Sequence, residues 1–100
     1  MVKIYRIRVF GKVHGVYYRD STKGVADMLK IKGWIRNEPD GTVLMEVKGD
    51  IQALEEFIEW CHEGPERARV EKIEKEELTD QFEDVSHSIK YPFLNFDILK

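Results

Sequence analysis

The stretch WIRNEPDGTVLMEVKGD, Trp34 to Asp50, decides the fold. Trp34 to Asn37 has the β-branched and aromatic content of a short strand, and Glu38-Pro39-Asp40-Gly41 has the composition of a tight turn. Thr42 to Lys48 then alternates, with Val43, Met45 and Val47 on one side, as a half-buried strand requires. These features predict a hairpin. Gly49-Asp50 follows as a helix opening, because Asp is a preferred N-cap, and the next residues change from a period of two to a period near 3.6.

Working outward, Ile51, Leu54, Phe57, Ile58 and Cys61 form one apolar stripe, and Gly64-Pro65 closes that helix. Ala68 to Leu78 carries Val70 and Ile73 at a spacing of three, which breaks strict alternation and predicts a bulged strand. On the N-terminal side, Lys3 to Phe10 alternates, with Tyr5, Ile7 and Val9 on one face and Arg6 and Arg8 on the other, and Gly11 is expected to end it. Ser21 to Ile31 reads as a helix with Val25, Met28 and Leu29 at helical spacing. Asp20 or Ser21 is its expected N-cap and Gly33 its stop, while Gly24 weakens it by about 1 kcal/mol relative to Ala.

The order strand, helix, strand, strand, helix, strand is that of an α+β, ferredoxin-like βαββαβ sandwich, with two helices on one face of an antiparallel sheet. Thr79 to Asn95 is mostly polar with Pro92 and reads as a long loop before a short terminal strand through Phe96 and Ile98. Residues 1–100 are expected to form a single domain.

Composition narrows the function. With 42% hydrophobic and 35% charged residues the chain is of globular type. A net charge of -3 argues against a general polyanion binder, so no nucleic-acid partner is expected and any anion site must be local. The lone cysteine excludes an internal disulfide, and the three scattered histidines form no metal-ligand motif with it. The start, MVKIYRIRVF, is neither a secretory signal nor a membrane span, which predicts a cytoplasmic protein with no membrane partner.

Such a local anion site is suggested by GKVHGVYYRD, Gly11 to Asp20, at the junction of the first strand and first helix. Gly11 and Gly15 permit positive φ and close backbone approach, so the loop N–H groups can face a common point. The helix start adds its own N–H groups, and Arg19 supplies a planar, permanently charged fork. Together they suit a tetrahedral oxyanion, although a two-glycine turn with a solvated arginine satisfies the same local pattern.

GKVHGVYYR is followed by KGWIRN at Lys32 to Asn37, DGTV at Asp40 to Val43, and HEGPERARV at His62 to Val70. This ordered set resembles the acylphosphatase family, whose pattern runs GxVQGVxFR, GWVxN, DGxV and GPxxAxV. The resemblance implies metal-independent hydrolysis of the carboxyl–phosphate anhydride of small acyl phosphates, with no cofactor, by a monomer that has inorganic phosphate as product or inhibitor. It assigns the phosphate-binding arginine to Arg19 and the water-positioning asparagine to Asn37. The backbone of His14, Gly15, Val16, Tyr17 and Tyr18 would be the phosphate cradle. Metal independence is chemically sound, since a carboxylate leaves readily and the phosphate itself can take the water's proton.

His14 stands where the family has glutamine, so an imidazole beside the cradle would add pH dependence. The family ending FxIRY appears as Phe96-Asp97-Ile98-Leu99-Lys100, after a longer acidic connection.

Of the remaining residues, one of Tyr17 and Tyr18 is expected to pack under the loop and the other to reach the surface. Trp34 and Trp60 read as core or part-core, Cys61 as a small buried hydrophobe, and His62 and His87 as solvated. The acidic run Glu74, Glu76, Glu77, Asp80, Glu83, Asp84 reads as a solvated face and loop. Two alternatives compete with the enzyme. One is a non-catalytic anion-binding regulatory module of the same fold, which would have no use for Asn37. The other is an RNA-binding domain, against which stand the net charge and the absence of the aromatic RNP1 pattern on Thr42 to Lys48.

Overall fold

A computed structural model describes residues 1–78 and 94–99. The elements run β1 (Val2–Lys12), α1 (Tyr18–Met28), β2 (Lys32–Asn37), β3 (Val43–Asp50), α2 (Ile51–Glu63), β4 (Arg69–Leu78) and β5 (Phe96–Ile98). The strands form one sheet in the order β4-β1-β3-β2-β5. The hairpin is present as expected: Glu38 N–H donates to the Thr42 carbonyl at 2.9 Å, Gly41 N–H to the Glu38 carbonyl at 3.0 Å, and Gly41 takes φ 92.

Alternation decides which face is core. Ile7, Val9, Val43, Met45 and Val47 are fully buried and pack with Leu54, Phe57 and Cys61 of α2. Asp50 caps α2 as expected, its side chain accepting from Gln52 N–H at 3.1 Å. Trp34 is also buried, but on the opposite sheet face. There the register sets it beside Glu46 and sets Glu46 beside Arg6. Glu46 is 1% exposed, accepts from Arg6 at 2.6 and 3.0 Å and from the Trp34 indole at 3.2 Å, so this buried carboxylate is both paired and hydrogen-bonded.

The predicted bulge lies in β4. Phe10 pairs with Lys72 and Gly11 with Val70, so Glu71 is the extra residue and Val70 and Ile73 both reach the core. Gly11 therefore does not end β1. It sits at the register shift with φ 127, where a Cβ would fall 2.1 Å from the Arg69 carbonyl oxygen.

Three further expectations are corrected. Helix α1 begins at Tyr18 rather than Ser21, with Tyr17 at the N-cap and Asp20 in the first turn. Burial of the Tyr18 ring overrides the local capping preference. Its stop is not Gly33 but Lys30, at φ 60, with Lys30 N–H bonded to the Asp27 carbonyl and Ile31 N–H to the Ala26 carbonyl. Gly33 instead lies in β2, where a Cβ would clash at 1.9 Å with the Glu46 carbonyl. The buried residues of α1 are Tyr18, Thr22 and Ala26, while Met28 is exposed.

The last correction concerns the sheet, which is mixed. β5 forms through Phe96 and Ile98 as expected, but it runs parallel to β2 on that strand's outer edge. A parallel neighbour requires a long crossover rather than a turn, and sequence periodicity carries no sign of strand direction. The readings of residues 79–93 as loop, including Asp80, Glu83, Asp84, His87 and Pro92, lie outside the described residues. Glu74, Glu76 and Glu77 of the acidic run are exposed and face Lys72, Arg6 and Lys3 in surface pairs.

Candidate active site

The chain from Lys12 to Tyr18 turns from β1 into α1 by way of Gly15 at φ 71 and Tyr17 at φ 63, both left-handed. Tyr17 provides no side-chain cap, and the first N–H bonded within α1 is that of Ser21, to the Tyr17 carbonyl at 3.0 Å. The N–H groups of Tyr18, Arg19 and Asp20 are thus left without partners inside the helix. With the positive end of the helix dipole they favour an anion at this point.

Arg19 and Asn37 line one pocket of about 350 Å³, together with Val13, Gly15, Tyr17, Tyr18, Asp20 and Ile98. They come from different halves of the fold, Arg19 from the first turn of α1 and Asn37 from the last residue of β2. Arg6, Arg8 and Arg36 each meet a carboxylate, whereas Arg19, also partly buried, is paired with none among the described residues. Asn37 Oδ1 is buried without a hydrogen-bond partner, the one such side-chain atom among the described residues. A buried acceptor in that state costs roughly 1–3 kcal/mol.

The remaining cradle residues separate. Gly15, Tyr17 and Tyr18 line the pocket, while Val16 is buried at 4% exposure and His14 is not among the lining residues. The His14 ring turns instead to the β2–β3 hairpin, where Nε2 donates to the Thr42 carbonyl at 2.8 Å and must carry the proton. Of the two tyrosines, Tyr18 is the buried one and Tyr17 the exposed one. The Tyr18 hydroxyl donates to the Cys61 carbonyl at 2.8 Å, and burial, above all, pushes its phenol pKa upward, so it stays protonated. Cys61 is buried as expected, and desolvation pushes its thiol up to about 12, so it is no nucleophile.

Sequence reasoning missed Thr42, Asp40 and Ile98. Thr42 is buried and gathers the hairpin: its N–H and Oγ1 donate to Asp40 Oδ1 at 3.0 and 2.6 Å, and Arg8 donates to its Oγ1 at 2.8 Å. Its carbonyl takes both His14 and Glu38 N–H. The Asp-Gly-Thr sequence does signal an Asx-type turn, the part of this hub that was legible. Those Thr42 hydrogen bonds, side-chain first, hold the Asp40 carboxyl below its usual range. Ile98 enters the pocket wall only because β5 joins β2, a pairing that no local pattern encodes.

Comparison with known proteins identifies the family. The acylphosphatase family profile matches residues 5–89. An acylphosphatase of Rubrobacter xylanophilus is 49% identical over 75 residues, covering 75% of this chain and 68% of the relative. One of Marinobacter nauticus is 48% identical over 82 residues, covering 80% of this chain and 89% of the relative. The crystal structure of acylphosphatase from Bacillus subtilis superposes with a TM-score of 0.84 at 31% identity, covering 100% of both chains. The chain belongs to the acylphosphatase family, and as a member it is an enzyme that hydrolyses acyl phosphates.

Proposed function

We propose that the backbone N–H groups of the loop from His14 to Tyr18 and the Arg19 guanidinium hold the phosphoryl group, while Asn37 aligns the attacking water. The supporting observation is Asn37, whose Oδ1 is buried without a partner, lining the same pocket as an arginine that no carboxylate among the described residues engages. In an in-line displacement the water oxygen bonds to phosphorus as the bond from phosphorus to the carboxylate oxygen breaks. The carboxylate leaves with the electron pair, and the water's proton passes to the phosphate oxygens. Arg19 offsets charge on those oxygens, and the Asn37 side-chain amide hydrogen-bonds the water and directs its lone pair at phosphorus. His14 contributes its backbone only, because its ring is engaged by Thr42.

No step calls for a metal or cofactor, and the substrates are small acyl phosphates with inorganic phosphate as product and competitive inhibitor. We further infer that residues 1–100 fold as one domain and that the protein works as a monomer in the cytoplasm. No helix among the described residues is long and apolar enough to cross a membrane. The test is hydrolysis of benzoyl phosphate by the purified protein in excess chelator. Undiminished turnover is expected, and a strict requirement for magnesium or zinc would overturn the mechanism.

A further inference from the structure

The Arg8 side chain serves a turn that β1 does not itself form. Arg8 lies on β1, which pairs with β3 and β4, whereas the turn at residues 38–42 joins β2 to β3. From the sheet face away from the helices its Nη1 donates to Thr42 Oγ1 at 2.8 Å and lies 3.8 Å from Glu38 Oε1 and 3.7 Å from Asp40 Oδ2. The turn closes without this arginine. Its main chain is joined through the N–H groups of Glu38 and Gly41, Asp40 accepts from the Thr42 N–H and hydroxyl, and Arg36 already holds Glu38 at 2.7 Å. Ion pairs as long as those of Arg8, at a partly solvated surface, contribute little to stability. What Arg8 adds is a tie between the turn and β1.

That tie reaches the loop proposed as the phosphate cradle. Further along the same segment, His14 donates from Nε2 to the Thr42 carbonyl, the acceptor that also takes the Glu38 N–H. Thr42 is therefore gripped at its hydroxyl by Arg8 and at its carbonyl by His14, and both grips come from the chain that runs from β1 into that loop. Asn37 stands directly before the turn and pairs across the hairpin with Val43, the residue after Thr42. Arg19 and Asn37 line one pocket from separate elements, so contacts between those elements set their spacing. In-line attack tolerates little error there, since a misplacement of about 1 Å can cost roughly a hundredfold in rate. We propose that Arg8 is a positioning residue for the hydrolysis, clamping Thr42 so that Asn37 stands at a fixed distance from the phosphate cradle. Arg8 touches neither substrate nor water and acts through Asn37. The inference rests on the roles assigned to Arg19 and Asn37 in the preceding subsection and adds to them what holds the two in register.

The test is a double-mutant cycle on kcat for benzoyl phosphate hydrolysis. Arg8→Met is introduced into the parent and into Asn37→Ala, at a temperature where circular dichroism shows every variant folded. In the parent background Arg8→Met should lower kcat roughly fivefold to thirtyfold, while the Ki for inorganic phosphate stays within about twofold. In the Asn37→Ala background it should change kcat by less than about twofold, because the group it positions is gone. A merely structural arginine would lower kcat by the same factor in both backgrounds. That result, or a parent-like kcat in Arg8→Met, would overturn the proposal. If Arg8→Met does not fold, Thr42→Val removes the hydroxyl that Arg8 holds and should show the same pattern, with Thr42→Ser recovering most of the lost kcat. Equal losses in Thr42→Val and Thr42→Ser would count against the clamp as decisively. Asn37→Ala alone separates the two assignments. If it keeps the parent's kcat, the water-aligning role fails and the clamp with it. If it loses kcat while the effect of Arg8→Met is the same with and without it, only the clamp fails.

Discussion

The Tyr18 hydroxyl stands 2.8 Å from the Cys61 main-chain carbonyl because that carbonyl has no helical partner. Cys61 lies in the last turn of α2, and the N–H that would reach its oxygen belongs to residue 65, which is proline. The tyrosine hydroxyl fills the gap. One side chain thereby ties the first turn of α1, and with it Arg19, to the C-terminal end of α2.

Tyr18→Phe should therefore leave the fold intact but lower its stability by about 1–2 kcal/mol, since it strands a buried acceptor while keeping the ring. Phenylalanine is also the residue of the family pattern at this position, so the backbone accepts it. Urea denaturation should show a lower midpoint with an unchanged slope, and an unchanged midpoint would mean that water or another donor already satisfies the carbonyl.

Arg19 and Asn37 should fail in different ways. In the proposed cradle Arg19 contacts phosphate in ground and transition states alike, so Arg19→Ala should raise KM and the phosphate Ki as kcat falls; Arg19→Lys keeps charge but loses the fork and should also be strongly impaired. Asn37→Ala should lower kcat by roughly a hundredfold or more, about 2.7 kcal/mol, with phosphate affinity nearly retained. Steady-state kinetics with phosphate inhibition distinguishes them. Loss of phosphate binding in Asn37→Ala equal to that in Arg19→Ala would remove asparagine from the water-aligning role.

For His14 the structure changes the expectation drawn from its residue type. Its Nε2 donates to the Thr42 carbonyl, and both the neutral ring and the imidazolium can do so. His14→Gln supplies an equivalent amide donor and should keep the parent's kcat/KM. His14→Ala breaks the bridge between cradle and hairpin and should cost about 1 kcal/mol of stability. A kcat/KM for His14→Gln well below the parent's in a variant that is equally stable would show that the ring does more than bridge to the hairpin.

Asp40 carries a pH signature. Its carboxyl is held below the ordinary value of 3.8, first by the Thr42 hydroxyl and then by the Thr42 N–H. A carboxylate depressed in the folded state stabilises the protein above its unfolded pKa, and that contribution is lost as pH falls through the folded value. Asp40→Asn should accordingly make stability fall less steeply with acidification below pH 3.8. Melting temperatures measured between neutral and acidic pH would check this, and identical acid limbs would show that the hairpin hydrogen bonds do not discriminate the charged form.

Much of this molecule is written locally. The hairpin from Trp34 to Asp50, the stripe of α2, and the β4 bulge read from the spacing of Val70 and Ile73 all follow from side-chain periods of two and 3.6, which depend only on near neighbours along the chain. Arg19 and the glycine-containing loop were visible for the same reason, because positive φ and a helix start are short-range demands. What tertiary structure decided was every choice between chemically similar neighbours. It buried Tyr18 and exposed Tyr17, placed the start of α1 at Tyr18 rather than Ser21, and made Gly33 a site of strand contact rather than a helix stop. It turned the His14 ring to Thr42 and set β5 parallel to β2, bringing Ile98 into the pocket. Each of these depends on a partner far along the chain, and the free energy of such contacts is set by packing and register between elements, which local sequence pattern does not encode.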